Sequence, residues 1–232
     1  MIQMRKAADR GHAQHGWLNS HHTFSFADYF DAKEMGWSAL RVINDDTVQP
    51  GQGFGAHGHR DMEIISYVLD GALEHKDSMG TGSVIQPGDV QLMSAGTGVR
   101  HSEFNHSRVD PVHFLQIWIM PKFTGIKPGY QQTFFEPQSK RGKLRLVVSP
   151  DGRDNSLTIA QDALVYAALL DDQERIDYTL AADRHAYVHM ARGSLTLNGQ
   201  RMHEGDGAKI TGESTLTLAD GDGAEVLLFD LP

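Results

Sequence analysis

The chain has 232 residues, enough for one large β domain or two small ones with a substantial hydrophobic core. It carries 21 Lys+Arg against 30 Asp+Glu, a formal charge of −9, which argues against a broad phosphate-binding surface and so against direct nucleic-acid contact. Cysteine is absent, which excludes disulfides, thiolate nucleophiles and thiolate metal sites, so any metal must be held by imidazole and carboxylate.

In chain order, the opening "MIQMRKAADRGHAQHG" lacks the apolar core of a secretory signal, and no later run approaches the roughly 18 apolar residues of a membrane span. A soluble, cytoplasmic protein without membrane partners is expected. The turn-rich "SFADYFDAKEMG" is the first of two short helix candidates. From "WSALRVIN" onward come short β-rich runs: "EIISYVL", "ALEHKD", "DVQLM" and "VHFLQIWI". Asp70-Gly71, between two of these runs, is a dipeptide that accepts the positive φ angles of a tight hairpin.

The segment from about Met120 to Lys143 is rich in Pro, Gly and Gln and reads as a connection. Beyond it the pattern resumes with "LRLVVS", the second helix candidate "PDGRDN", then "AYVHMA", "SLTL", "STLTL" and "AEVLLFDL", with Asn198-Gly199 as a second hairpin signal. Each hairpin precedes a Gly-Asp pair and another strand, at "PGDVQLM" and "EGDGAKI". This internal echo predicts two related all-β units of barrel or sandwich type with little helix, residues 1–130 and 131–232.

Two clusters carry ligand chemistry. Side chains alternate faces along a strand, so His57 and His59 point the same way, and Glu63 would follow them if the strand stayed regular. His101 and Glu103 are likewise two apart. If the chain runs out from His59, turns at Asp70-Gly71 and returns beside its start, two antiparallel neighbours aim these side chains at one point.

The first cluster, Gly51-x5-His57-x-His59-x3-Glu63-x7-Gly71, resembles the first cupin motif, one residue long at its final glycine. The second, Gly96-x-Gly98-x2-His101-x3-Asn105, resembles the second cupin motif with glycine where proline is usual. Within the cupins, "HGWLNSHHTFSFADYFD" and "SAGTGVRHSE" are similar to the pirin family, and more narrowly to its bacterial quercetin 2,3-dioxygenase-like members. The resemblance implies a bicupin of two jelly-roll-like barrels, with one metal in the N-terminal barrel held by His57, His59, His101 and Glu103. Many other cupins use the glutamate at the Glu63 position instead. Glu103 is favoured because it shares a strand and a face with His101.

A site of three imidazoles and one carboxylate suits Fe, Ni, Cu, Mn or Zn, and the resemblance puts Fe(II) first. It also implies oxidative opening of the central ring of a flavonol such as quercetin by dioxygen, with release of carbon monoxide. Glu103 is then the expected catalytic base and Glu63 the alternative. Pirins are also associated with transcriptional regulation through protein partners, a non-enzymatic reading. A third is a metal-dependent isomerase or other small-molecule cupin.

Other side chains have plainer readings. His21 and His22 are adjacent, face opposite ways and are expected to be structural. His75 is either a support for the ligands or an exposed hairpin residue. Gln116 either faces a cavity or is a core amide satisfied by backbone. Phe24, Phe26, Phe54, Trp37 and Trp118 either line an aromatic-binding pocket or, as is commoner in a β barrel, form core, and "DDQER" reads as a solvated turn. His185, His189 and His203 lack ligand spacing, so the C-terminal unit is expected to bind no metal.

Overall fold

The structure, a computed structural model, describes all 232 residues. Twenty strands follow one another: β1 (Ile2–Arg5), β2 (Gly11–Gln14), β3 (Leu18–His22), β4 (Leu40–Val48), β5 (Gly53–His59), β6 (Glu63–Asp70), β7 (Leu73–Asp77), β8 (Gly82–Ile85), β9 (Asp89–Ser94), β10 (Val99–Asn105), β11 (Val112–Ile119), β12 (Gly129–Phe134), β13 (Arg145–Ser149), β14 (Leu157–Thr158), β15 (Leu164–Leu170), β16 (Ile176–Thr179), β17 (His185–Leu197), β18 (Gln200–His203), β19 (Gly207–Thr211) and β20 (Thr215–Leu231). The α-helix content is one turn, α1 (Pro137–Lys140). None of the helices is long and apolar enough to cross a membrane.

The expected helix in "SFADYFDAKEMG" is absent. Ala27 takes φ +48° and Phe26 and Tyr29 exchange backbone hydrogen bonds, which closes a tight turn instead. "PDGRDN" forms only a 3₁₀ turn at Arg153–Asn155, because Asp154 lies in the left-handed region at φ +55° and interrupts the helical path.

Two compact units result. The first is Gly11–Phe134 with Ile159–Gln161; the second is Met1–Arg10, Phe135–Thr158 and Asp162–Pro232. The sequence placed the break after residue 130, inside what is here β12, whose six residues are laddered to β9 of the first unit. The first ten residues go the other way, because β1 pairs with β19, Ile2 opposite Ile210.

The first unit is a two-sheet sandwich. One sheet runs β12-β9-β6-β11-β4-β3-β2, the other β5-β10-β7-β8. Leu18, Val48, Val68, Val112 and Phe114 of the larger sheet pack with Leu73 and Ile85 of the smaller. Their alternation along the strands directs one face of each sheet inward. In the second unit β17 and β20 are long, pair along most of their length and carry register shifts at Met190/Arg192, Arg192/Ser194 and Ser194/Thr196. Such bulges bend the strands around one apolar core that includes Val188, Leu195, Leu216 and Leu228. "AYVHMA" and "SLTL", read as separate strands, are thus two stretches of β17.

Candidate metal centre and cavity

The site is built on the antiparallel pair β5 and β10. His101 lies directly opposite His57, and Val99 opposite His59. Gly53 allows the approach two residues beyond the shift at His101/Glu103: a Cβ there would lie 2.2 Å from the Glu103 carbonyl oxygen. Along β10 the alternation is intact, with Val99, His101, Glu103 and Asn105 buried and Arg100 and Phe104 exposed.

His57, His59 and His101 present ring nitrogens within 4.8 Å of one another. His57 Nε2 and His101 Nε2 are 3.0 Å apart, and His57 Nδ1 is 2.8 Å from the Gly55 carbonyl oxygen. That carbonyl can only accept, so the His57 proton sits on Nδ1 and the Nε2 lone pair faces His101. Burial pushes the His59 imidazole down to about 4 and the His101 imidazole down to about 3, and in each case a neighbouring imidazole adds to the shift. Both rings are therefore neutral near pH 7, the state in which imidazole binds metals.

Glu103, 3 % exposed, has its carboxylate fixed by Gln116, whose amide nitrogen donates to Oε1 at 3.1 Å and Oε2 at 2.9 Å. Ser66 Oγ donates to Oε1 at 3.2 Å. A second group of metal-type side chains, His75, His101 and Glu103, shares two members with this site. His75 is buried, not on a solvated hairpin face. Its Nε2 is 3.2 Å from Asp77 Oδ2, its ring centroid is 5.3 Å from that of His101, and Glu103 is its cross-strand partner.

These residues fit a divalent ion. Two nitrogens about 2.1 Å from a common ion and roughly at right angles are about 3.0 Å apart, the separation of the His57 and His101 Nε2 atoms. The hard carboxylate and the neutral imidazoles match the transition metals that bind N/O sites.

Glu63 is elsewhere. β5 ends at His59 and Asp61 takes φ +49°, so the alternation that would have aimed Glu63 at the histidines breaks before it is reached. Its Oε2 accepts from Ser94 Oγ at 2.8 Å and from the Ala160 amide at 3.4 Å, and burial raises its pKa against those bonds. Glu63 does not line the cavity described next.

Beside the histidines opens a cavity of about 790 Å³. His57, His59, Glu103 and Gln116 form part of its wall, and Trp17, Phe26, Tyr29, Phe54 and Trp118 give it aromatic surfaces. Trp17 and Phe54 meet edge to face, as do Phe26 and Trp118. Of the two readings of Phe26, Phe54 and Trp118, core or pocket wall, the structure has the second: the sheets leave a gap there and the rings line it. Phe24 is core, 1 % exposed. His22, expected to be structural, also reaches the wall, whereas His21 stacks on His12 at 4.7 Å.

Ser20, Asn44 and Asp46 were not singled out by sequence. Their signal was available: in "RVINDDTV" the polar Asn44 and Asp46 occupy the same alternate positions as Val42 and Val48. In the second unit, His189 is buried within β17, His185 Nδ1 is 3.1 Å from the Pro232 carbonyl oxygen, and His203 is exposed.

Residues 3–119 match the family model described as Pirin, and residues 146–231 match the one described as Quercetinase C-terminal cupin domain. The chain belongs to the pirin family. Within it, the chain is 51 % identical over its full length to a protein of Escherichia coli strain K12 named quercetin 2,3-dioxygenase, 99 % of which is covered. It is 42 % identical to a pirin-like protein of Caulobacter vibrioides, over 97 % of this chain and 98 % of that one. Among solved structures, it is similar to the bacterial pirin YhhW of Escherichia coli in complex with nickel(II), with a TM-score of 0.95 and 49 % identity, covering 100 % of this pirin and 99 % of YhhW. The architecture is the all-β bicupin anticipated from the two motifs.

Proposed function

We propose that this pirin is a metal-dependent dioxygenase that opens the central ring of flavonols such as quercetin and releases carbon monoxide. The observation that carries the reading is the juxtaposition of a three-histidine cluster and a fixed carboxylate with an aromatic-walled cavity of about 790 Å³. That volume lies within the roughly 300–1,000 Å³ of small-molecule sites. The names of the Escherichia coli relatives and the nickel(II) complex of YhhW support both parts of it.

His57, His59, His101 and Glu103 hold one divalent metal, Fe(II) first and nickel next. When bound, such an ion supplies Lewis acidity and a one-electron path between an electron-rich ring and dioxygen. The chain's own side chains do the rest. Phe26, Phe54 and Trp118 pack the flat rings of the substrate and exclude water. A Glu103 carboxylate oxygen takes the proton of the substrate 3-hydroxyl, and the Gln116 amide keeps that carboxylate in place while its charge changes. Holding the ring beside the metal replaces a bimolecular encounter with a local one. Both dioxygen atoms end in the ring-opened ester, and the carbon that bore the 3-hydroxyl leaves as carbon monoxide.

An open cavity beside the ligands favours this reading over a purely partner-binding pirin, for which a filled interior would suffice. The test is anaerobic quercetin binding followed by labelled dioxygen, with measurement of carbon monoxide and of label in the ester. Binding without oxygen-dependent product in iron-, nickel-, copper- and manganese-loaded protein overturns it.

A further inference from the structure

The larger sheet presents polar side chains to the cavity from neighbouring positions on three strands. Asn44 on β4 stands opposite Gln116 on β11 and His22 on β3, and Asp46 stands opposite Phe114 and Ser20. Asn44 and Asp46 are each 3 % exposed and Gln116 is 8 % exposed, and all three line the cavity. In each, one oxygen has no hydrogen-bond partner: Asn44 Oδ1, Asp46 Oδ1 and Gln116 Oε1. Gln116 spends its amide nitrogen on Glu103, which fixes its oxygen as the spare group. A Ser20 hydrogen bond supports the Asp46 carboxyl without satisfying Oδ1.

Buried acceptors without donors are disfavoured, and native interiors hold few of them. Three at neighbouring positions, on the wall of a cavity that also presents Trp17, Phe26, Tyr29, Phe54 and Trp118, match an occupant that brings several hydrogen-bond donors on a flat apolar body. A phenol-rich aromatic has that chemistry. Asp46 does not belong to the groups of metal-type side chains, so its role is separate from holding the ion.

We propose that Asp46, assisted by Asn44 and the Gln116 carbonyl, is a specificity subsite that accepts hydrogen bonds from substrate hydroxyls other than the one at the metal. The subsite rests on the flavonol reading and sharpens it: the preferred substrates are polyhydroxylated flavonols, and the bare 3-hydroxyflavone is a poor one. Burial pushes the Asp46 carboxyl up to about 7, so near neutrality it is divided between acid and carboxylate forms, and a phenolic donor from the substrate favours the accepting carboxylate form. A site built to receive a hydroxyl discriminates strongly against the analogue lacking it, because its own buried acceptors stay unpaired.

The experiment is anaerobic titration of zinc-loaded protein with quercetin and with 3-hydroxyflavone, followed by intrinsic fluorescence, for wild type, Asp46→Asn and Asp46→Leu. Wild type is expected to bind quercetin at least about 10-fold more tightly than 3-hydroxyflavone. Asp46→Leu should bring that ratio to about one by weakening quercetin alone, and Asp46→Asn, which keeps a neutral acceptor, should fall between. Zinc content and near-UV circular dichroism report whether each variant is folded, and the isosteric Asp46→Asn carries the test if Asp46→Leu is not. A wild-type ratio of one, an unchanged ratio in the folded variants, or equal weakening of both ligands overturns the subsite. Binding without oxygen-dependent turnover overturns the dioxygenase reading alone, and failure of wild type to bind either flavonol overturns both.

Discussion

His57 and His101 face each other across the β5–β10 ladder with their Nε2 atoms 3.0 Å apart, and the His57 proton is committed to Gly55 on the opposite side of the ring. In metal-free protein that lone pair accepts a hydrogen bond from the His101 Nε2–H. A shared ion satisfies both rings at once. His57→Ala and His101→Ala are each expected to weaken metal binding beyond the roughly 100-fold typical of losing a residue that merely orients a ligand. Glu103→Gln should also weaken it. Metal analysis of protein purified without added metal is the measurement, with about one ion per chain in wild type; full occupancy in both histidine variants contradicts the ligand set.

Glu63 and Glu103 lead to different expectations for the metal. The Glu63 Oε2 is held by Ser94 and the Ala160 amide, away from the histidines, so Glu63→Gln is expected to keep the metal and change flavonol turnover little. Glu63→Ala leaves the buried Ser94 hydroxyl and the half-buried Ala160 amide without this partner, and should lower stability by about 1–3 kcal/mol while metal content stays near one per chain. Denaturant unfolding alongside metal analysis checks it. Loss of metal in Glu63→Gln would mean that this chain uses the commoner cupin glutamate.

Gly11 lies under the Tyr29 ring. A Cβ at residue 11 would come within 2.3 Å of the Tyr29 Cγ, and Tyr29 is part of the cavity wall. Gly11→Ala must therefore displace the ring or the turn that carries it. The expected result is weaker flavonol binding, by about 10-fold, with metal content unchanged, since residue 11 lies on β2 and not on β5 or β10. Equal binding by Gly11→Ala would show that Tyr29 does not shape the occupied cavity.

The His-x-His and His-x-Glu pairs were readable because their spacing is the period of a strand, and both strands keep that period at those residues. Glu63 shows where the inference stopped: parity counts only while the strand continues, and the positive φ of Asp61 was not visible in the sequence. The membership of residues 1–10 was hidden for a different reason, since the pairing of Ile2 with Ile210 is a long-range choice that no local pattern encodes. The strand "GYQQTF" was read as linker because its residues are half-exposed on an edge, where polar side chains are tolerated. The wall residues Asn44 and Asp46 were legible as polar interruptions of a valine alternation, yet only the cavity gives that interruption a meaning.

Asp46 also makes a prediction about stability. Its carboxyl holds a proton up to about pH 7 in the folded protein, mainly through burial, against 3.8 for the free side chain. Between those values the folded state binds more protons than the unfolded one, so this residue makes stability fall as pH rises from about 4 to 7, and the loss persists above 7. Asparagine cannot ionise and escapes the effect. In metal-free protein, Asp46→Asn is expected to match wild type near pH 4 and to exceed it by up to about 4 kcal/mol at pH 8. The low-titrating His59 and His101 weaken both proteins alike as pH falls, so their contribution cancels in the difference. Urea unfolding of the two proteins at intervals from pH 4 to 8 measures it. A difference that is flat with pH, or that grows toward acid, would mean the Asp46 carboxyl is ionised in the fold and already paired.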